Sequence, residues 1–326
     1  MIWLALRRRR TALAVFVGSA LLLDAWMVVN GHTSANALRH TGTCQSFPCV
    51  QPSELYAPAH QAVVVDLLLV LLPLVLGLVF GVGLVAGDSR TGRHRLVWTQ
   101  EVSRTRWYLT SLGVAVIGAL LVTVVELPVA HWWAGVAWVD LPNQVTLGGD
   151  RIQPVAFPVS GVVPLAYACF AVALGTGAGA VLRRVPWAAA VTVIAYLALS
   201  VVMVTTVRAS FAPTGFFMDD TTNSAQYVNW PHPPPWVISY EFRTIPGGGR
   251  AKQVASPNHV AAACSAYGYD PGRQIACLDR LGVEGGFVTQ SPAHYWRLQW
   301  AEALIYLGMA VVLAGVGLVA VRRMQD

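Results

Sequence analysis

Charged side chains are scarce in this sequence. Only 12% of its 326 residues are charged, Lys252 is the single lysine, and 55% of the residues are hydrophobic, which gives a mean hydropathy of +0.54. A soluble domain carries about 25% charged residues on average, so this shortage excludes an ordinary soluble protein. The composition indicates instead a protein that crosses a membrane several times.

The sequence also lacks the short motifs on which common catalytic sites depend. A phosphate-binding loop needs G-x-x-x-x-G-K-[ST], but Lys252 is followed by Gln253 and there is no other lysine. Neither H-E-x-x-H nor G-x-S-x-G occurs, and no Cys and His residues are paired at zinc spacing. We therefore expect no cofactor, metal or catalytic residue in this chain, and no ATP hydrolysis by the chain itself.

Six apolar stretches are each long enough to cross a hydrocarbon layer of about 30 Å, which takes roughly 20 helical residues. They lie near Thr11–Val29, Gln61–Ala86, Tyr108–Val129, Gly161–Leu182, Pro186–Val207 and Leu298–Val321. The sequence therefore predicts an all-α polytopic membrane protein with six transmembrane helices and a single transmembrane domain over residues 1–326. We expect Pro73 to kink the second span and Pro164 the fourth, because proline removes a backbone hydrogen bond.

Basic residues are distributed unevenly between the connecting segments. If the N-terminus lies inside, the inner segments hold 13 basic and three acidic residues, whereas the outer segments hold nine of each. Because Lys and Arg concentrate in cytoplasmic loops, this asymmetry predicts cytoplasmic termini and a multi-pass position in the plasma membrane. It also accounts for the net charge of +6 without nucleic acid as a partner.

The longest polar segment on the predicted inner side covers residues 87–107. His94, Trp98 and Val102 are spaced by four residues and would share one face of a short helix. Four arginines surround that face, namely Arg90, Arg93, Arg104 and Arg106. Such a helix would rest on the inner membrane surface and present its arginines to lipid phosphates or to an acidic partner. The residues alone leave both interpretations open.

Four acidic residues interrupt the apolar spans. They are Asp24, Asp66, Glu126 and Glu302, and each falls in the outer third of its predicted helix. A charged side chain at mid-membrane costs on the order of 2.5–3.5 kcal/mol, so four at one level suggest a polar vestibule. In one interpretation these acids, with Arg208 and Arg297, form an outer gate or a substrate exit that attracts cations. In the other, the acids reach the outer headgroups and pair with the two arginines.

The segment 208–297 is the largest on the predicted outer side and is expected to form a small cap. Residues 236–243 alternate like a half-buried strand, and residues 257–281 predict two short helices that carry Cys264 and Cys277. Disulfides persist outside the cell, so a bond between these two cysteines would staple the cap, and Cys44 and Cys49 could form another. Two cysteine pairs also occur in membrane thiol oxidases, but such an enzyme needs C-x-x-C, which neither pair has.

Two stretches of the sequence resemble one protein family. The loop after the second span reads His94-Arg-Leu-Val-Trp-Thr-Gln100, followed by Val102-Ser-Arg-Thr-Arg-Trp107, and the last span begins with W-x-x-Q-W-x-E at residues 296–302. Both are similar to the corresponding parts of actinobacterial ABC transporter permeases of the type-two exporter class. The six spans and the large loop before the last span agree with that resemblance.

The resemblance implies a permease that exports a compound through the membrane and is driven by a separate ATPase. Two cytosolic ATPase subunits would bind ATP and Mg²⁺. The permease would pair with a second copy or with a related permease. Residues 87–107 would form the coupling segment, with Asp88, Arg90, Arg93, His94, Trp98, Gln100, Arg104 and Arg106 facing the ATPase. The neutral, aromatic-rich outer segments would suit an amphipathic drug, lipid or peptide. A membrane sensor or anchor without transport activity is the other alternative.

Overall fold

A computed structural model describes residues 20–32, 52–83, 103–137, 151–218, 235–244 and 283–323, together with residues 18, 264, 273, 276, 277 and 280. By their contacts these residues belong to two compact units. The first falls within residues 1–139, 155–205 and 299–326, and the second within residues 140–154 and 206–298.

The first unit consists of apolar helices. They are α1 (residues 20–32), α2 (Pro52–Leu76) with a π-helix at Gly77–Val82, α3 (Arg104–Ala137), α4 (Val163–Leu182), α5 (Val185–Val202) with a π-helix at Met203–Val207, and most of α6 (Tyr295–Arg322). Within the described residues, α2 to α6 are each long and apolar enough to cross a membrane. This confirms the prediction of a multi-pass helical membrane protein. The first predicted span is helical over residues 20–32, and its earlier part lies outside the described residues.

Large apolar side chains cover the outward faces of these helices as well as the inward ones. Leu22 on α1, Ile194 on α5 and Val311 on α6 are each at least two-thirds exposed. A helix of a soluble protein would carry polar residues on that face. These outward faces are suited to contact with lipid tails.

The third helix is longer than the sequence predicted. The apolar pattern placed its end at Val129, but α3 continues to Ala137, so Trp132 and Trp133 lie on the helix rather than in an interfacial segment. Trp133 is only 1% exposed and packs with Met27 and Val65. It points inward because it follows Ala130 and Glu126 on the same helical face, at spacings of three and seven residues.

The fourth helix, α4, is the most buried of the five candidate spans, with 72% of its apolar window inside the protein. It contacts α2 through glycines. A methyl group on Gly175 would lie 2.5 Å from the backbone oxygen of Gly77, and one on Gly81 would lie 2.8 Å from the oxygen of Val172. The two small-xxx-small patterns therefore allow the backbones of α2 and α4 to meet within one chain.

Pro164 does not act as the sequence suggested, and the kink expected at Pro73 stays a prediction. The α-helix α2 continues past Pro73, and the departure from α geometry comes at the π-helix that begins with Gly77. Pro164 is the second residue of α4, where a helix has no hydrogen-bonding partner for a backbone N–H in any case. Proline therefore begins α4 rather than kinking it.

The connection between α4 and α5 is a tight turn at Arg183 and Arg184. Arg183 closes α4 with its backbone in the left-handed conformation (φ 55°), and its N–H donates to the oxygen of Gly179. Glycine is the usual residue at such a position, and another residue there costs on the order of 1 kcal/mol.

The second unit contains an antiparallel sheet of three strands. They are β1 (Gly215–Met218), β2 (Trp236–Thr244) and β3 (Val283–Gln290), in the order β1-β3-β2. β3 pairs with both neighbours, with Phe287 opposite Phe217 on one side and Tyr240 on the other. The sequence predicted only β2, so the all-helical expectation applies to the first unit and not to this one.

Buried polar side chains tie the loops of the second unit to the sheet. Gln290, at the end of β3, donates to the oxygen of Ala212 at 3.1 Å. The guanidinium of Arg208 is fully buried and donates to the oxygen of Pro154 at 3.3 Å. The segment before α4 thus contributes to the fold of this unit.

Candidate functional site

A pair of carboxyl groups lies inside the first unit, between α1 and α3. Glu126 on α3 is 4% exposed, and its side chain lies beside that of Asp24 on α1. One oxygen of each, Oε2 of Glu126 and Oδ1 of Asp24, is buried and has no hydrogen-bond partner among the described residues. Asp66 on α2 is also buried, at 2% exposure. Asp66, Glu126 and Glu302 are therefore buried inside the protein, whereas Asp24 is partly exposed.

A small cavity adjoins Glu126. Its volume is about 20 Å³, which is room for one water molecule. Apart from Glu126 and Thr123 its walls are apolar, formed by Leu69, Leu72, Pro73, Leu127, Ala130, Val159 and Pro164. A polar group bound here would therefore have Glu126 and Thr123 as its only polar neighbours among the lining residues.

The side chain of Gln299 on α6 caps the first turn of α4. It is fully buried, and its Oε1 accepts hydrogen bonds from the backbone N–H groups of Val162 and Val163, both at 3.0 Å. Its Nε2 donates to the oxygen of Phe157 at 3.1 Å. The first N–H groups of a helix have no partner within the helix, and in a membrane water cannot supply one. Gln299 supplies it and thereby joins α6 to the start of α4.

One turn further along α6, Glu302 accepts a hydrogen bond from the hydroxyl of Tyr167 on α4. Both side chains are buried. The ring of Tyr167 lies 4.4 Å from that of Tyr306 and packs edge-on against Tyr196 on α5. The helices α4, α5 and α6 therefore meet at one aromatic cluster, and the carboxyl group of Glu302 bonds to one of its tyrosines.

The start of α3 is fixed to the end of α6. Ser103 caps α3 by accepting from the backbone N–H of Arg106 at 3.3 Å. The hydroxyl of Tyr108 donates to the oxygen of Ala314 at 3.1 Å, and Nε of Arg322 donates to the hydroxyl of Thr105 at 3.1 Å. These contacts place the end of the predicted coupling segment, and Tyr108 directly after it, against the last helix.

The same end of the unit has an apolar cluster. Trp107 and Tyr108 are buried there with Leu76 and Phe80 from α2 and its π-helix, and with Val321 from α6. The approach of α6 again depends on small residues, because a methyl group on Gly317 would overlap the hydroxyl of Tyr108. Phe80, which precedes residues 84–102, and Trp107 and Tyr108, which follow them, therefore pack in one cluster.

Residues 11–208, about three-fifths of the sequence, match a family described as ABC-2 membrane transporter related. The chain belongs to the ABC-2 membrane transporter related family. It is therefore a membrane permease of the ABC-transporter type. Family membership points to a transport subunit rather than an enzyme, and to an ABC ATPase as its partner. Comparison with curated proteins and with solved structures returns no match.

For this ABC-2 related permease, the structure describes only part of the predicted coupling segment. Six of its eight candidate residues lie outside the described residues: Asp88, Arg90, Arg93, His94, Trp98 and Gln100. Arg106 is exposed and Arg104 is partly buried in the first turn of α3. The role of all eight in ATPase coupling stays a prediction.

The six residues assigned to an outer vestibule separate into two sets. Asp24, Asp66, Glu126 and Glu302 belong to the first unit, whereas Arg208 and Arg297 belong to the second. Within the first unit, Glu126 lies beside Asp24, and Glu302 accepts a hydrogen bond from Tyr167. A gate formed by all six residues together stays a prediction.

The cysteines are described in part. Cys264 and Cys277 are joined by a disulfide, with their Cα atoms 5.8 Å apart, and Cys44 and Cys49 lie outside the described residues. Cys169 on α4 is a free thiol. Among the described residues no group of His, Cys, Asp and Glu is arranged to hold a metal ion.

Sequence reasoning missed the polar partners inside the ABC-2 related fold. It gave no role to Gln299, Tyr167, Tyr196 or Tyr306. Glutamine and tyrosine within an apolar span were a usable signal, because a polar side chain inside a membrane protein must find a partner. The start of the last span already contained Gln299 and Glu302 at a spacing of three residues, which places both on one helical face.

Proposed function

We propose that this chain is the permease subunit of an ATP-driven exporter that moves an amphipathic compound, such as a drug, lipid or peptide, out of the cell. The energy comes from two copies of a separate cytosolic ATPase, which bind ATP and Mg²⁺. The permease acts as a homodimer or paired with a related permease. Family membership carries this proposal, and the lack of any phosphate-binding loop in the chain supports it.

The coupling segment 87–107 receives the motion of the ATPase. Its C-terminal end packs firmly, since Trp107 is buried against Leu76 and Val321 and the next residue, Tyr108, bonds to Ala314. A push on this segment would therefore move α3 and α6 together rather than only a surface loop. The π-helix at Gly77–Val82 lies just before the segment, and π-helical turns are frequent at functional sites.

The proposal is tested by replacing His94, Trp98 and Gln100 together with alanine in the permease–ATPase complex. We expect normal insertion and assembly, but a transport-to-hydrolysis ratio at least tenfold below that of the unaltered complex. A matched control replaces Arg184 and Arg323, two exposed basic residues on the same predicted side, with alanine. That control should leave the ratio unchanged.

Two results would contradict the proposal. If the triple variant transports and hydrolyses ATP like the unaltered complex, residues 87–107 are a lipid anchor and not a coupling segment. If no ATPase copurifies with the chain in mild detergent, the chain acts as a sensor or anchor and not as a transport subunit.

A further inference from the structure

The start of α3 and the end of α6 bring three arginines around one hydrogen bond. Nε of Arg322 donates to the hydroxyl of Thr105 at 3.1 Å, and Arg104 and Arg106 flank Thr105 on the chain. Residues 103–110 and 315–323, which form these two helix ends, contain no aspartate or glutamate. Arginines gathered without an acidic neighbour repel one another, and an anion between them would relieve that repulsion.

The bond to Thr105 orients the guanidinium of Arg322 and leaves most of it open. A guanidinium has five N–H donors, and this bond uses the one on Nε. The four donors on its Nη atoms and the guanidinium of Arg106 have no partner among the described residues, and both arginines are exposed. Two Nη groups held in one plane match two oxygen atoms of a phosphate.

Exposed apolar side chains lie one turn deeper in the membrane on the same helical faces. Leu109 follows Arg106 by three residues on α3 and is 51% exposed, and Val319 precedes Arg322 by three residues on α6 and is 47% exposed. Residues three apart share one face of a helix. A phospholipid presents the matching order of groups from the membrane surface inward, a phosphate and then hydrocarbon. A free phosphate or an acidic peptide brings no hydrocarbon to these side chains.

We propose that the start of α3 and the end of α6 form a binding site for an anionic phospholipid, with its phosphate on Arg106 and Arg322 and an acyl chain along Leu109 and Val319. Thr105 is a positioning residue, because it orients Arg322. A zwitterionic headgroup would bring its own cation towards the arginines, so an anionic lipid is favoured. Such lipids are concentrated in the cytoplasmic leaflet, the side on which these helix ends are predicted to lie.

The test measures lipid binding to the purified full chain in a nonionic detergent by native mass spectrometry. Two probes carry the same acyl chains, phosphatidylglycerol and phosphatidylcholine. We expect a Kd for phosphatidylglycerol at least tenfold lower than for phosphatidylcholine. Glycerol phosphate, which has the phosphate but no acyl chain, should not displace phosphatidylglycerol even in large excess.

Four variants test the residues of the site. Arg322→Gln and Arg106→Gln should each raise the Kd for phosphatidylglycerol at least tenfold. Thr105→Val keeps every charge but removes the hydroxyl that orients Arg322, so it should raise the Kd at least threefold. Arg323→Gln is the matched control, because Arg323 is the next residue, is also exposed and has no hydrogen bond to α3 among the described residues. Its Kd should change less than threefold.

Several results would overturn the proposal. Equal Kd values for the two lipids would do so, and loss of ATPase copurification in Arg322→Gln would then assign the arginines to an acidic surface of the partner. Equal effects of Arg322→Gln and Arg323→Gln would show that only the net charge of this helix end matters. Displacement by glycerol phosphate would identify a free phosphate as the ligand.

The lipid site can be judged apart from the coupling proposal. If Arg322→Gln fails to fold, Thr105→Val and the comparison of the two lipids on the unaltered chain still decide. Lipid binding needs no ATPase, and the coupling experiment alters none of the residues of this site. Either test can therefore fail while the other succeeds.

Discussion

Among the polar residues of the first unit, Gln299 is predicted to cost the most stability when it is replaced. Replacing it with methionine keeps the volume but leaves the N–H groups of Val162 and Val163 without an acceptor. Each unsatisfied buried N–H costs about 1–3 kcal/mol. The oxygen of Phe157 loses less, because the N–H and the hydroxyl of Ser160 still approach it at 3.4 Å. We therefore expect a loss of about 3 kcal/mol in the free energy of unfolding.

For a domain of about 200 residues this corresponds to a Tm lowered by roughly 6–12 °C. The measurement is thermal unfolding of the purified chain in detergent, followed by size-exclusion chromatography. Gln299→Glu keeps an oxygen acceptor at the positive end of α4, so its Tm should lie between those of the unaltered chain and Gln299→Met. Trp300→Phe is the matched control, because Trp300 is the next residue on α6 and is 54% exposed. A Gln299→Met protein as stable as this control would refute the assignment of Gln299 as the cap of α4.

Three further outcomes are expected. Gly175→Leu should lower the Tm strongly or prevent folding, because its Cβ would meet the backbone of α2 at 2.5 Å, whereas Gly113→Leu, where nothing lies within 4 Å, should fold normally. Tyr167→Phe should cost about 1–3 kcal/mol in thermal unfolding, since it removes the hydroxyl that donates to the carboxyl group of Glu302; full stability would show that the bond contributes nothing. Replacing both cysteines of the 264–277 disulfide with serine should destabilise the second unit by about 3 kcal/mol and spare the first. Mass mapping shows whether that bond also resists mild reductant, as a structural disulfide does and a catalytic one does not.

The helices were readable from the sequence because a membrane span needs only length and apolarity. The bounds of α4 and α6 differ from the predicted ones by only a few residues. The end of α3 was missed for a physical reason. Pro128 and the tryptophans after it looked like a helix end at the membrane surface, but Trp133 has a buried site to fill beside Met27, and that burial favours continuing the helix.

The sheet was harder to predict than the helices. Strand β1 is only four residues long, and β3 contains Gly285 and Gly286, so neither shows the alternation that indicates a strand. Both are stabilised by pairing with residues far away in the sequence, which a local pattern cannot report. Only β2 shows the alternation of apolar and polar residues that predicts a strand.

The candidate site, too, could be predicted only in part from the sequence. The sequence identified Asp24, Glu126 and Glu302 as unusual because charges are rare in apolar spans. It could not show that Glu126 lies beside Asp24 while Glu302 bonds to Tyr167, because partner choice depends on which helices are neighbours. Pairing with Arg208 and Arg297 was suggested only because those residues flank the predicted spans.

The left-handed backbone at Arg183 has a consequence for how the protein is made. Glycine at this position would relieve the conformational cost and give a more stable folded protein. Arginine, however, supplies half of the positive charge in the two-residue turn between the fourth and fifth spans, and such charges direct which side of the membrane a loop stays on during insertion. An Arg183→Gly chain would therefore gain stability once folded, yet insert more of its nascent copies with this helical hairpin inverted. At this turn the sequence favours correct insertion over final stability.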